Sequence, residues 1–205
     1  MDALQAIRTR RSIRAYKKKK IPDEVLYTII ESARWAPSAG NLQPWRIIVV
    51  EGQEKKNILA DAADEQDFIS KAPVVLVICS DPSGFEKEYG DSAGKFCTQS
   101  TATAIENILV AANSLGVGSA WIGSFAEAKI RKELQIPDSV AIEALIPLGY
   151  ADERPARKSA IEMSDFTYFE TYGEQGRGSS MFPISEQIGK IKKGLREFAG
   201  KLKKK

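Results

Sequence analysis

The 205-residue chain contains no histidine. That absence removes Ser–His and Cys–His nucleophile pairs, and with them the commonest zinc ligand. Cysteine is almost missing too: Cys79 lies in an apolar run and Cys97 near a helix start. Neither number nor spacing makes a disulfide framework, which fits a reducing cytoplasm. The longest apolar run, residues 73–79, is far shorter than the roughly 20 residues a membrane-spanning helix needs. The first residues are acidic, then basic, in a helical pattern, so no signal peptide is read there. Glycine-rich phosphate cradles are lacking: there is neither a dinucleotide fingerprint nor a P-loop. GVGSAWIG comes nearest, but it follows a helix instead of opening one. If this is an enzyme, its chemistry comes from a borrowed cofactor, and any cofactor phosphate is held by cationic side chains.

What is present is enough for one domain with an extra terminal element. At 43% apolar residues the chain can bury a real core. The net charge of +3 is small but unevenly placed. Arg8, Arg10, Arg11 and Arg14 cluster near the start, Lys17 to Lys20 follow, and Lys203, Lys204 and Lys205 close the chain. Such runs ordinarily make solvated faces or loose nucleic-acid contacts.

Periodicity gives a coarse map. Asp2 caps a first helix carrying Leu4 and Ile7, after which RRSIRAY reads as extended. Pro22, Asp23 and Glu24 start a second helix with a stripe of Val25, Leu26, Ile29, Ile30 and Ala33, ended by Pro37. Residues 46–50 and 74–79 read as buried strands with a helix between, and 140–149 as a third strand after a short helix at 126–134. A long helix over 98–115 is apolar on more than one side, which suits a central helix or one packed on a second subunit. No internal repeat is found. GEQGRGSS at 173–180 reads as flexible, and Ile188, Ile191, Leu195, Phe198 and Leu202 mark a basic amphipathic helix.

Two segments carry chemistry. In RRSIR, arginine forks match phosphate oxygens and a serine hydroxyl adds a hydrogen bond. Extended geometry would point Arg10, Ser12 and Arg14 to one side and Arg11 to the other. In PSAGNLQPW, residues 37–45, the small Ser38, Ala39 and Gly40 allow close backbone approach to a flat ligand. Asn41 and Gln43 offer donors and acceptors suited to a heterocycle's edge or a ribityl chain. A plain helix-to-strand turn capped by its own amides is the competing reading.

With these motifs in this order, the chain resembles the nitroreductase family of FMN-dependent oxidoreductases. RRSIRAY (10–16) is similar to the family's phosphate motif and PSAGNLQPW (37–45) to its PSxxNxQPW loop. KAPVVLVI (71–78) and LGVGSAWIGSF (115–125) follow in family order, with PLGY (147–150) as a weaker fifth. The resemblance covers residues 2–165 and leaves 166–205 as an extension, a substrate lid or a dimer-docking element. It implies an α+β fold with a central, mostly antiparallel sheet flanked by helices, in an intertwined homodimer with FMN at the subunit interface. It further implies that Arg10, Arg11 and Ser12 hold phosphate and ribityl oxygens, with Arg14 near the flavin N1–C2 side. Pro37, Ser38, Ala39 and Asn41 would reach in from the partner, and Gln43 would also contact the cofactor. Trp121, Ile122, Gly123 and Ser124 would run along the ring, and Gln66, Arg157 and Lys158 would complete the site.

The function so implied is hydride transfer from NADH or NADPH, through FMN, to a small electron-poor acceptor such as a nitroaromatic, quinone or enone. No catalytic side chain and no metal are called for. The same fold also serves reductive dehalogenation, flavin fragmentation and dehydrogenation. A reading from another class is a basic protein engaging nucleic acid or acidic surfaces through its lysine-rich ends. It lacks interleaved aromatics and leaves residues 37–45 unexplained.

Overall fold

The computed structural model describes residues 1–156 and 160–174. The chain forms two compact units, Met1–Ala156 and Arg157–Lys205. In the first, the elements run α1 (Ala3–Thr9), α2 (Asp23–Glu31), β1 (Trp45–Val50), α3 (Gln53–Ala62), α4 (Phe68–Lys71) and β2 (Val74–Ser80). They continue with α5 (Ser83–Tyr89), α6 (Ala93–Ser114), β3 (Gly118–Ser119), α7 (Glu127–Leu134) and β4 (Ala141–Gly149).

One sheet in the order β1-β2-β4-β3 forms the centre, and every pairing in it is antiparallel. All seven residues of β2 are buried, because helices cover both faces of the strand. Val74, Leu76 and Ile78 share a core with Ile29, Ile105 and Ile108 of α2 and α6. Val75, Val77 and Cys79 share the other with Leu59, Ile69 and Ile130 of α3, α4 and α7. The expected α+β architecture is therefore the observed one. Within the protomer α6 is the central helix, touching α1, α2, α5 and all four strands.

The sequence boundaries hold closely, with three additions. Helix α6 starts five residues earlier than the apolar pattern suggests, and α4, α5 and β3 were not expected at all. Ala93 and Cys97 extend α6 because they pack with Phe85 of α5 in a small separate cluster.

Two close approaches of backbone fix where the N-terminal segment lies. A Cβ on Gly149 would sit 2.6 Å from Pro73 Cδ and 2.7 Å from Tyr16 Cδ1. One on Gly118 would sit 2.8 Å from Ile13 Cγ1. Residues 13 and 16 can therefore lie directly on β3 and β4 only because those positions are bare.

In the second unit, Met163–Asp165 makes a short 3-10 turn, and the Tyr168 and Tyr172 rings meet at 4.7 Å. Phe169 N–H donates to Glu174 O at 2.9 Å. Arg157, Lys158, most of the 173–180 stretch and the basic C-terminal segment lie outside the described residues.

Candidate functional site

Helix α1 begins as its sequence dictates, with Asp2 Oδ1 accepting from Gln5 N–H at 2.8 Å. Its end is held by α6: Asn113 Nδ2 donates to Ala6 O at 2.8 Å and to Thr9 Oγ1 at 2.9 Å. Beyond Thr9 the chain becomes extended. Ile13 N–H donates to Ser119 O at 2.9 Å, and Ser12 bridges Ser119 in parallel. Arg14 N–H and Ala15 N–H both donate to Glu153 Oε1. Tyr16 is buried and its hydroxyl donates to Ile13 O at 2.6 Å. Burial raises the Tyr16 phenol well above its ordinary range; Glu153 adds to the shift and Arg14 opposes it.

The two-sided alternation expected for RRSIR does not start at Arg10. Arg10 still caps α1, its N–H donating to Ala6 O, so regular extension begins one residue later. As a result Arg10 and Arg11 line the same cavity, of about 150 Å³, together with Ile13, Asn113, Gly118 and Ser119. Arg11 Nη1 donates to Arg8 O at 3.0 Å and to Arg10 O at 2.6 Å. Arg10 Nε lies 3.7 Å from Glu106 Oε1, an ion pair too long for a hydrogen bond. Each guanidinium carries five N–H donors, so most of these remain uncommitted among the described residues. Arg14 is exposed, with its guanidinium carbon 5.7 Å from the Phe68 ring centre. That ring follows a turn in which Asp64 and Glu65 take φ of 55° and 56°, and Gln66 N–H closes the turn by donating to Ala63 O at 3.3 Å.

The loop at 37–45 is more constrained than a plain turn. Gly40, Asn41 and Gln43 all take positive φ, at 58°, 56° and 47°. Asparagine and glycine tolerate that region; glutamine does so at a cost of about 1 kcal/mol. Anchors from α6 hold the loop: Ser100 Oγ accepts from Ala39 N–H at 3.2 Å, and Thr103 Oγ1 donates to Pro37 O at 2.8 Å. Ser38 Oγ accepts from Gln43 N–H at 3.1 Å. The two amides meet each other, Gln43 Nε2 donating to Asn41 Oδ1 at 3.1 Å, and both stay exposed. Among the described residues, no hydrogen bond or ion pair joins residues 37–43 to residues 10–14.

From Ser119 the chain leads out of the arginine-lined cavity. Trp121 is 41% exposed, and Gly123 and Ser124 are exposed as well. Ile122 differs from its neighbours. Its N–H and C=O are both taken by Leu145 at 3.0 Å, and its side chain is in the core. It serves as the fixed point from which Trp121 and Gly123 project, not as a lining residue. Sequence reasoning missed Glu153, Asn113, Ser119, Phe68, Ser100 and Thr103. Each acts across a long stretch of chain, and apart from Ser119, which lies inside the 115–125 motif, none sits in a pattern that would single it out.

Comparison with known proteins places this arrangement. A sequence model described as the nitroreductase family matches residues 7–67 and 61–150. An NADH dehydrogenase of Thermus thermophilus is 33% identical over 192 residues, covering 79% of this chain and 94% of its own. An NADPH-flavin oxidoreductase of Vibrio harveyi is 30% identical, covering 78% of this chain and 70% of its own. The structure of an FMN-dependent nitroreductase from Clostridium difficile R20291 superposes with a TM-score of 0.69 at 29% identity, covering 82% of this chain and 99% of that one. With the arginine segment, the strained amide loop and the projecting Trp121 segment lying inside the matched region, the chain belongs to the nitroreductase family.

Proposed function

We propose that this protein is an FMN-dependent oxidoreductase that takes hydride from NADH or NADPH and passes two electrons to a small electron-poor acceptor, the two substrates using one site in turn. The observation that carries the proposal is the cavity lined by Arg10 and Arg11, whose guanidinium donors are largely uncommitted. Two forks with spare N–H groups around about 150 Å³ fit the terminal phosphate of such a cofactor. The family membership and the names of the flavin-using relatives point the same way.

When bound, FMN would supply the two-electron redox chemistry that no side chain of this histidine-free chain offers. The chain's own residues bind and orient. Arg10, Arg11 and Ser12 hold phosphate and ribityl oxygens, and Arg14, steadied by Phe68, sets positive charge beside the place where negative charge develops. Trp121, Gly123 and Ser124 offer a flat approach, and Gln66 adds a polar contact.

The site also calls for a second copy of the chain. Asn41 and Gln43 point outward on a rigid loop with no link to the arginine segment of their own protomer. Leu4 and Ile7 on α1 are 64% and 56% exposed, and Tyr27 and Trp35 are 70% and 77% exposed. So many bare apolar side chains on elements that flank α6 suit a subunit interface. In the homodimer so formed, Pro37, Ser38, Ala39, Asn41 and Gln43 reach the cofactor held by the partner.

The test is a visible spectrum of protein supplied with FMN and desalted, repeated anaerobically with NADH and with NADPH. Retained flavin that bleaches is the expected result; folded protein that retains none refutes the proposal. Arg10→Ala should weaken FMN binding by about 1.5–3 kcal/mol, the worth of a charge-assisted contact. Unchanged affinity in the folded variant removes the phosphate assignment.

A further inference from the structure

A second concave site lies away from the arginine cavity. Lys17, Lys18, Lys19, Lys20, Lys56 and Lys71 surround a groove of about 280 Å³, floored by Ala72 and Pro73. The lysines come from three separate stretches of chain, and the backbone gathers them. Lys17 N–H donates to Tyr150 O at 2.8 Å, and Lys19 N–H turns back to Lys17 O at 2.7 Å. That tight turn bends the run into an arc around the groove, where a straight strand would send alternate side chains to opposite faces.

Lys56 is the informative member. It is only 6% exposed, yet it forms no ion pair with any described carboxylate. Its Nζ donates to Ala72 O at 2.8 Å and to Pro73 O at 3.4 Å. An ammonium has three donors, so one remains, and the residue lines the groove. Burial lowers its pKa, with Glu51 opposing the shift. An uncompensated buried cation is costly, and an anion in the groove would compensate it. The acids nearby do not fill that role. Glu51 acts on Lys56 and Lys20 through space but forms an ion pair with neither among the described residues. Asp23 pairs with Lys20 at 3.0 Å and Asp67 with Lys71 at 3.5 Å, both on the open surface where such pairs are weak and easily redirected. Lys17 and Lys18 have no ion pair among the described residues.

From this geometry we propose that the lysine groove binds a compact anion carrying two or more phosphates, either inorganic or the tail of a nucleotide. Lysine point charges around a concavity suit clustered phosphates. An extended nucleic acid fits less well. Among the described residues the groove's lining includes no aromatic ring on which a base could stack, and the Tyr150 ring already has Lys19 Nζ 4.4 Å from its centre. The inference does not depend on the flavin assignment.

The test is calorimetric titration of the full chain, with FMN present to fill the arginine cavity, by inorganic tripolyphosphate at about 0.15 M salt, where diffuse surface attraction is screened. One-to-one binding is expected. It should weaken by about tenfold or more in Lys17→Gln/Lys18→Gln, two exposed positions that leave the fold intact. It should be lost in Lys56→Met, and persist in Arg10→Ala and in a variant with Lys203, Lys204 and Lys205 changed to glutamine. No binding to the folded chain overturns the proposal. So does binding that survives Lys17→Gln/Lys18→Gln, or that disappears in Arg10→Ala or in the tail variant. Displacement of bound tripolyphosphate by ATP identifies nucleotide tails as accepted ligands, and its absence restricts the site to inorganic phosphates; either result presupposes the groove.

Discussion

Gly118 is the contact on which the arginine segment rests, and Gly118→Ala is the sharpest test of it. The added methyl would lie 2.8 Å from Ile13 Cγ1, 3.0 Å from Ile13 Cβ and 3.1 Å from Gly149 O. Two of these atoms belong to a buried, β-branched side chain with little rotamer freedom, and the third is backbone. The clash can be relieved only by moving residues 12–14 off β3, which lengthens the Ile13–Ser119 hydrogen bond. Overpacking of this kind costs about 1–3 kcal/mol. For a chain of this size that is a drop in Tm of about 2–12 °C. Thermal melts followed by circular dichroism read it directly. Gly94→Ala is the matched control, because nothing lies within 4 Å of its Cβ and the position is helical. It should stabilise by up to about 1 kcal/mol. FMN titration of the same pair should show weaker binding for Gly118→Ala alone, since Arg10 and Arg11 would be displaced with Ile13. Equal melting temperatures for wild type and Gly118→Ala would refute the close approach, and with it the claim that β3 positions the arginines.

Glu153→Gln should destabilise the protein by about 1–2 kcal/mol in urea titrations, because two backbone N–H groups, of Arg14 and Ala15, lose an ionised acceptor. An unchanged midpoint would mean that Glu153 does not hold the segment. Alkaline pH should also destabilise. Burial pushes the Cys79 thiol from 9.0 to about 11 and raises the Tyr16 phenol further. Both stay neutral in the native state while the unfolded chain ionises first, so above about pH 9 the unfolded state binds fewer protons. Stability is thus full below about pH 9 and falls through about pH 11, and Cys79→Ala should flatten part of that slope; a pH-independent urea midpoint over that range would contradict the burial. The same burial leaves Cys79 and Cys97, both free, unreactive toward a thiol reagent until the protein unfolds, and fast labelling of the native protein would contradict it.

The legible parts of this protein were those in which one residue type repeats at a fixed period. The all-buried β2 appears as an unbroken apolar run, and α2 and the body of α6 as helical stripes. Helix α5 left no such trace, because Phe85 is its one buried residue and Gly84 interrupts it. Strand β3 is two residues long, too short for any period. At the site, residue chemistry made segments 10–14 and 37–45 stand out, but not what holds them. Glu153 grips Arg14 across 139 positions, Asn113 grips Ala6 across 107, and Ser100 grips Ala39 across 61. Such pairings are created by the fold and have no local signature. The positive φ at Gln43 is equally invisible, since glutamine carries no preference for it.

Strand β2 has a consequence for how the molecule opens. Its alternate side chains belong to two different cores, so neither helical layer owns a hydrophobic interior independent of the other. Detaching α2 and α6 would bare Leu76 and Ile78; detaching α3, α4 and α7 would bare Val75 and Val77. Partial openings that release a whole layer are thereby as expensive as losing the strand itself. Amide hydrogen exchange on β2 and β4 should proceed only through global unfolding, as one cooperative block. The arginine segment and the loop at 37–45 ride on β3 and α6, and both of these pack on that block, so the strands at the centre keep the two segments in register.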